Sequence, residues 1–201
     1  MFIAIEGIDG SGKTTQSKLL ARSLKKQGHD VLRTREPTQD NIGVLIRGIL
    51  KSHAEIDPKA LTYLFLADRI EHAKEIQQAI EEGKVVICDR YMLSTLAYQS
   101  AQGLDLNWLK DLHKDILKPD LTFLLDVDPR ISMERLRSEE KFEKTEFQER
   151  ARQAYLSLAN EYENVHILHT SDPRMQTHRK MTELLSGKLP KKQIAEKEKR
   201  S

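Results

Sequence analysis

The stretch "GIDGSGKT", Gly7 to Thr14, decides the fold. It fits G-x-x-x-x-G-K-[ST] at every position and lies between an apolar run, "FIAIE" (2–6), and a helical pattern over 13–27. In such a loop Gly7, Ile8, Asp9, Gly10, Ser11, Gly12, Lys13 and Thr14 wrap a nucleoside triphosphate. Backbone N–H groups close on the β-phosphate, Lys13 reaches the β and γ oxygens, and Thr14 offers a hydroxyl to Mg²⁺. The positive end of the helix opening at Lys13 adds to the hold. One residue resists that reading. Asp9 puts a carboxylate inside an anion-binding loop, where it repels phosphate unless it faces something else.

Outward from the loop, short β-branched runs alternate with helix-length segments. Strands are predicted at 2–6, 30–35, 85–89, 121–127 and 165–169, each apolar on nearly every residue, as strands covered on both faces are. Helices are predicted over 13–27, 41–52, 58–82, 91–101, 107–117, 129–138, 146–162 and 173–186. The alternation predicts an α/β fold: a P-loop three-layer sandwich with a five-stranded parallel sheet and helices on both faces. No repeat or Pro/Gly-rich linker divides the chain, so residues 1–187 read as one domain. The mixed-charge segment after Gly187 reads as a solvated, disordered tail over 188–201.

Composition narrows the function. The 201 residues are 38% hydrophobic and 32% charged, with a net charge of +2, which describes a globular protein and makes no case for a nucleic-acid surface. No apolar run is long enough to span a bilayer, and the N-terminus lacks a basic flank and cleavage site, so a cytoplasmic protein without membrane partners is expected. The single cysteine, Cys88, excludes an intramolecular disulfide and a cysteine-based metal cluster. His166 and His169, three apart in a strand, make no metal pair.

A phosphate loop establishes ATP or GTP but not the reaction. Ligands of parallel sheets lie beyond the carboxyl ends of the strands, where "REP" (35–37) and "DRY" (89–91) each place an arginine beside a carboxylate. Arg90 can hold a phosphate bidentately and Asp89 can hold Mg²⁺ or its water; a structural ion pair is the alternative for either pair. In "YLFLADRIEH", Phe65, Arg69 and His72 share a helix face. A ring beside a guanidinium can stack on a base and bond its edge, or can be a core phenylalanine beside a surface arginine.

Taken together, "EGIDGSGKTTQ", "TREP", "LFLADRIEH", "DRYMLSTLAYQ" and "LLDVDP", in that order, resemble thymidylate kinase from about Phe2 to Leu185. The resemblance implies a nucleoside monophosphate kinase with a mobile lid, at about 133–146, that makes dTDP from MgATP and dTMP for dTTP biosynthesis. It implies that Phe65 stacks on thymine and Arg69 bonds its O4. It also implies that Arg90 holds the dTMP phosphate and that Thr14 and Asp89 order the metal. Ser94 and Thr95 fall at the pyrimidine edge, Tyr98 crowds the sugar C2′, and Gln99 lines the same pocket. Arg47 is a further candidate for the acceptor phosphate. Asp9 then points to the acceptor's 3′-hydroxyl and to Arg90, not to ATP.

The family implies a homodimer, and catalysis by Lys13, Arg90 and a lid arginine. Some relatives carry a basic residue in the loop where this chain has Gly10. The charged run "MERLRSEEKFEK" (133–144) offers Arg135, Arg137 and Lys141 instead, with Arg137 the first choice. Contacts by Arg35 and Glu36 stay open, because "TQDNIG" replaces the usual glycine-rich continuation. Asp126 and Asp128 read as structural, and 171–174 fall where the family wraps adenine. Two rivals remain: a kinase for another nucleotide such as dUMP or a deoxynucleoside, and a nucleotide-hydrolysing switch.

Overall fold

The structure is a computed structural model that describes residues 1–52, 55–136, 141–170 and 173–190. Five parallel strands, β1 (Phe2–Glu6), β2 (Val31–Arg35), β3 (Val85–Asp89), β4 (Leu121–Asp126) and β5 (Val165–His169), form one sheet in the order β2-β3-β1-β4-β5. The strand carrying the phosphate loop is therefore central. Strand alternation divides its side chains between two cores. Phe2 and Ala4 pack on one face, Ile3 and Ile5 on the other, and all four are buried.

The helices follow the two faces. Helices α1 (Lys13–Lys26) and α8 (Arg174–Leu185) cover the second core through Leu20, Leu24, Met181 and Leu185. Helices α3 (Pro58–Glu81), α4 (Met92–Ala101), α5 (Leu106–Leu112) and α7 (Lys141–Ala159) cover the first through Ile76, Leu96, Leu109 and Leu158. Full burial of each such aliphatic side chain contributes about 1.5–3 kcal/mol. Helix α2 (Asn41–Ser52) packs on α3, and α6 (Pro129–Leu136) packs on α7. Asp57 starts α3 by accepting from Lys59 N at 2.7 Å, with Pro58 at the first helical position, where a missing N–H costs nothing.

Helix boundaries differ from the sequence expectation where tertiary contacts take over. The predicted helix 107–117 stops at Leu112, after which Lys114 N and Ile116 N bond three residues back and His113 turns its ring inward. Helix α7 begins at Lys141 rather than 146 and closes on the same kind of turn, Asn160 N to Ser157 O. Arg137 and residues 171–172 lie outside the described residues, as do most of the tail and the centre of the expected lid.

Candidate functional site

The phosphate loop, Glu36, Asp89 and Arg90 gather at the carboxyl edge of the sheet. The phosphate loop leaves β1 at Gly7 and enters α1 at Lys13, with Gly12 left-handed (φ 98°) as the cap. Lys13 Nζ donates to Gly7 O (2.9 Å) and Ile8 O (2.7 Å). Burial, and then the charge of Arg90, pull its ammonium down to about 7. A neighbouring anion would favour the charged form, because opposite charge raises an ammonium's pKa.

Gly10 shows why this loop takes no side chain at its tip. Its φ is +73°, and a Cβ built there would lie 2.4 Å from Ser132 O on α6. Arg135, one turn on, donates from Nη1 to Gly10 O at 3.2 Å and from Nη2 to Thr170 O at 2.8 Å. A guanidinium therefore stands beside the loop, supplied by α6. Sequence reading ranked this residue behind Arg137.

The carboxylate of Asp9 is turned to Arg90 Nη2, with which it pairs, and to Gln148 Nε2 at 3.4 Å. Burial pushes its pKa up, but Arg90 and Lys13 outweigh that and the net direction is down, so it is an anion at neutral pH. Arg90 sits at a left-handed backbone position (φ 71°), its guanidinium 5.2 Å from the centre of the Tyr98 ring. It also donates to Gly7 O and Ser94 Oγ, both at 3.3 Å. Tyr98 Oη accepts from Asp9 N at 3.0 Å, so the phenol is tied to the loop. Gln148 had no signal in the sequence beyond its place in a helical pattern; only the packing of α7 on α4 brings it here.

Two cavities meet at this point. One, of about 710 Å³, is lined by the loop and by Arg35, Arg135, Thr170 and Arg174. The other, of about 600 Å³, is lined by Phe65, Arg69, Thr95, Tyr98 and Gln99, among others. Asp9, Glu36 and Arg90 line both. Arg47 is turned elsewhere: its Nη1 donates to Pro37 O at 2.7 Å.

Arg69 is fixed from several sides. Its Nε and Nη2 donate to Glu36 Oε2 (2.9 and 2.6 Å), and Nη2 also donates to Thr95 Oγ1 (3.1 Å). His72 Nδ1 lies 3.0 Å from the other oxygen of Glu36. Glu36, whose role the sequence left open, is thus the anchor of this wall.

Thr14 Oγ1 donates to Asp89 Oδ2 at 2.6 Å, beside Lys13. A hydroxyl and a carboxylate at the end of β3 suit a hard cation such as Mg²⁺, which takes few protein oxygens and completes its shell from phosphates and water. Among the described residues no group of three His, Cys, Asp or Glu side chains gathers as a metal cluster. Asp126 belongs to the frame. Arg152 Nε donates to it at 2.6 Å and His169 Nδ1 lies 3.0 Å away, tying α7 and β5 to β4. Asp128 caps α6 through Arg130 N at 2.7 Å.

Known proteins place this arrangement in context. A profile of the family described as "Thymidylate kinase" matches residues 5–181. A "Probable thymidylate kinase" of Methanocaldococcus jannaschii is 47% identical over 162 residues, covering 81% of this chain and 83% of that protein. One of Pyrococcus horikoshii is 43% identical over 198 residues, covering 94% and 97%. The "Thymidylate kinase" of Wolbachia pipientis is 43% identical over 167 residues, covering 79% and 85%.

Proposed function

The chain belongs to the thymidylate kinase family, and from that premise we propose that it transfers the γ-phosphoryl group of ATP to dTMP, giving ADP and dTDP for dTTP biosynthesis. The observation that carries this reading is the junction of two cavities at Asp9, Glu36 and Arg90. One holds the donor over the loop formed by Gly7, Ile8, Asp9, Gly10, Ser11, Gly12, Lys13 and Thr14. The other holds dTMP.

The nucleophile is a phosphate oxygen of dTMP, already charged near neutral pH since a monoester's second pKa is about 6. A bond forms from that oxygen to the γ-phosphorus, the bond to the β-bridging oxygen breaks, and no general base is needed. The obstacle is bringing two polyanions together. Catalysis therefore rests on positioning and cationic stabilisation by Lys13, Arg90 and a guanidinium from the segment after β4. Arg135 is already at the loop; Arg137 is the second candidate for that role. Mg²⁺, held by Thr14 and Asp89, supplies charge neutralisation on the phosphate oxygens when bound.

Recognition of dTMP follows from the second cavity. Phe65 stacks on the base, Arg69 meets its O4, and Thr95 steadies Arg69. Gln99 Oε1, buried and without a partner among the described residues, suits the base N3–H. Asp9 takes the 3′-hydroxyl and orients Arg90. Tyr98, tied to the loop, fills the space that a 2′-hydroxyl needs. We place the protein in the cytoplasm; no helix among the described residues is long and apolar enough to cross a membrane.

The deciding measurement is ADP release from MgATP with dTMP, dUMP, UMP, dCMP, dAMP or no acceptor. Release is expected to depend on dTMP, with UMP poorer by about tenfold or more from the lost fit. Equal release without an acceptor would make the chain a nucleotide-hydrolysing switch and overturn this reading. Efficient use of UMP would remove the role given to Tyr98.

A homodimer completes the proposal. Val44 and Leu45 on α2 and Tyr63 and Ile70 on α3 are about half exposed, and the two helices pack side by side. Burial of this apolar surface against a second copy is the expected arrangement. Sedimentation equilibrium should give twice the chain mass; a monomer at micromolar concentration refutes it.

A further inference from the structure

We propose that His113 is a positioning residue for base selection, holding the Arg69 guanidinium so that one N–H remains to meet the 4-carbonyl of the pyrimidine. The proposal rests on the reading of Arg69 given above and extends it to a residue outside the cavity wall.

A guanidinium has five N–H donors in a fixed plane. Glu36 takes one on Nε and one on Nη2, and Thr95 takes the second on Nη2. His113 Nε2 lies 2.8 Å from Nη1 and takes one of its two. The direction of that bond is set by the other ring nitrogen. His113 Nδ1 lies 2.7 Å from Leu109 O, a carbonyl with no hydrogen to give, so Nδ1 carries the proton and Nε2 accepts. Burial, and then the charge of Arg69, push the imidazole down to about 4, which keeps it neutral and able to accept. His113 and Arg69 are both fully buried.

Glu36 and Thr95 together hold only the Nε and Nη2 edge of the guanidinium, leaving Nη1 to swing about that edge. The bond from His113 removes that swing at the third nitrogen. It also leaves a single unshared N–H among the described contacts, on the same Nη1. A 4-carbonyl accepts from that donor, whereas a 4-amino group presents a second donor and is refused. Base choice then depends on how firmly Nη1 is held.

The test compares dTMP with 5-methyl-dCMP, which differs from it only along the 4-position and N3 edge. In His113→Leu, kcat/KM for dTMP should fall about tenfold, the value of one hydrogen bond to a charged group. The loss should sit mainly in KM, and the preference for dTMP over 5-methyl-dCMP should fall by a similar factor. His113→Gln, whose amide oxygen can accept from Nη1, should recover most of both. Arg69→Gln separates the two readings. If it leaves the preference unchanged, Arg69 does not read the base and the earlier assignment fails. If it abolishes the preference while His113→Leu keeps it, only the role of His113 fails. The imidazole ¹⁵N spectrum of the unmutated protein decides independently of any folding defect. An unprotonated Nε2 supports the proposal, and an Nε2–H tautomer overturns it.

Discussion

Arg90→Ala is expected to lower kcat/KM for dTMP by about a thousandfold or more, some 4 kcal/mol of transition-state stabilisation, while MgATP binding changes by less than about threefold. Arg90 stands where the two cavities join, paired with Asp9 and stacked over Tyr98. Its removal deletes the counter-charge for the acceptor phosphate. It also leaves the Asp9 carboxylate without its counter-charge, held only by Gln148 among the described residues, so its repulsion of a phosphate goes uncompensated. The donor loop keeps Lys13 and its backbone N–H groups, and ATP should still bind. Arg90→Lys should recover only part of the loss, because an ammonium cannot fork across Asp9 and phosphate together. Steady-state kinetics with dTMP beside calorimetric titration of MgATP checks both halves. Near-normal turnover in Arg90→Ala would remove Arg90 from the acceptor site.

The second large effect is expected from a single methyl group. In Gly10→Ala the new carbon would meet Ser132 O at 2.4 Å while the residue holds a φ of +73°. The left-handed backbone costs about 1–2 kcal/mol for a residue with a Cβ, and overpacking adds about 1–3 kcal/mol. Because the opposing atom is backbone carbonyl, relief requires the loop to part from α6. The melting temperature should then fall by about 5–15 °C for a chain of this size. MgATP affinity should drop by about thirtyfold or more, as the loop N–H groups lose their common aim. Scanning calorimetry and titration measure the two; an unchanged melting temperature would show that loop and α6 part freely. The same contact leaves no room for a basic side chain at the tip of the loop. Here α6 occupies that space and brings Arg135 to Gly10 O instead.

What the sequence made legible was local. Strands 2–6, 85–89 and 165–169 match β1, β3 and β5 residue for residue, because β-branched runs of that length carry their own signature. The phosphate loop was equally plain, since its chemistry needs adjacent residues. The far wall of the cavity lined by Phe65 and Arg69 was only half visible. Helical spacing put Phe65 and Arg69 on one face, but spacing says nothing about what stands across from a face. Glu36, Thr95 and His113 reach Arg69 from 33, 26 and 44 positions away. Gln148 comes to Asp9 from 139 positions away. Arg135 ranked below Arg137 for the same reason: a run of charges at helical spacing does not reveal which one a neighbouring carbonyl will claim.

The strand order carries a consequence for how such a protein changes over time. With β2 and β3 on one side of β1 and β4 and β5 on the other, much of the second cavity's wall comes from one passage of the chain. From Glu36 to His113 it lays down Phe65, Arg69, Arg90, Thr95, Tyr98 and Gln99. Most donor-side groups come from before or after that passage: the loop at 7–14, then Arg135, Thr170 and Arg174. That passage also carries Glu36, Asp89 and Arg90 of the first cavity, while Asp9, Phe147 and Gln148 close the second from outside it, so exchanging the passage as a block would alter both cavities at their junction.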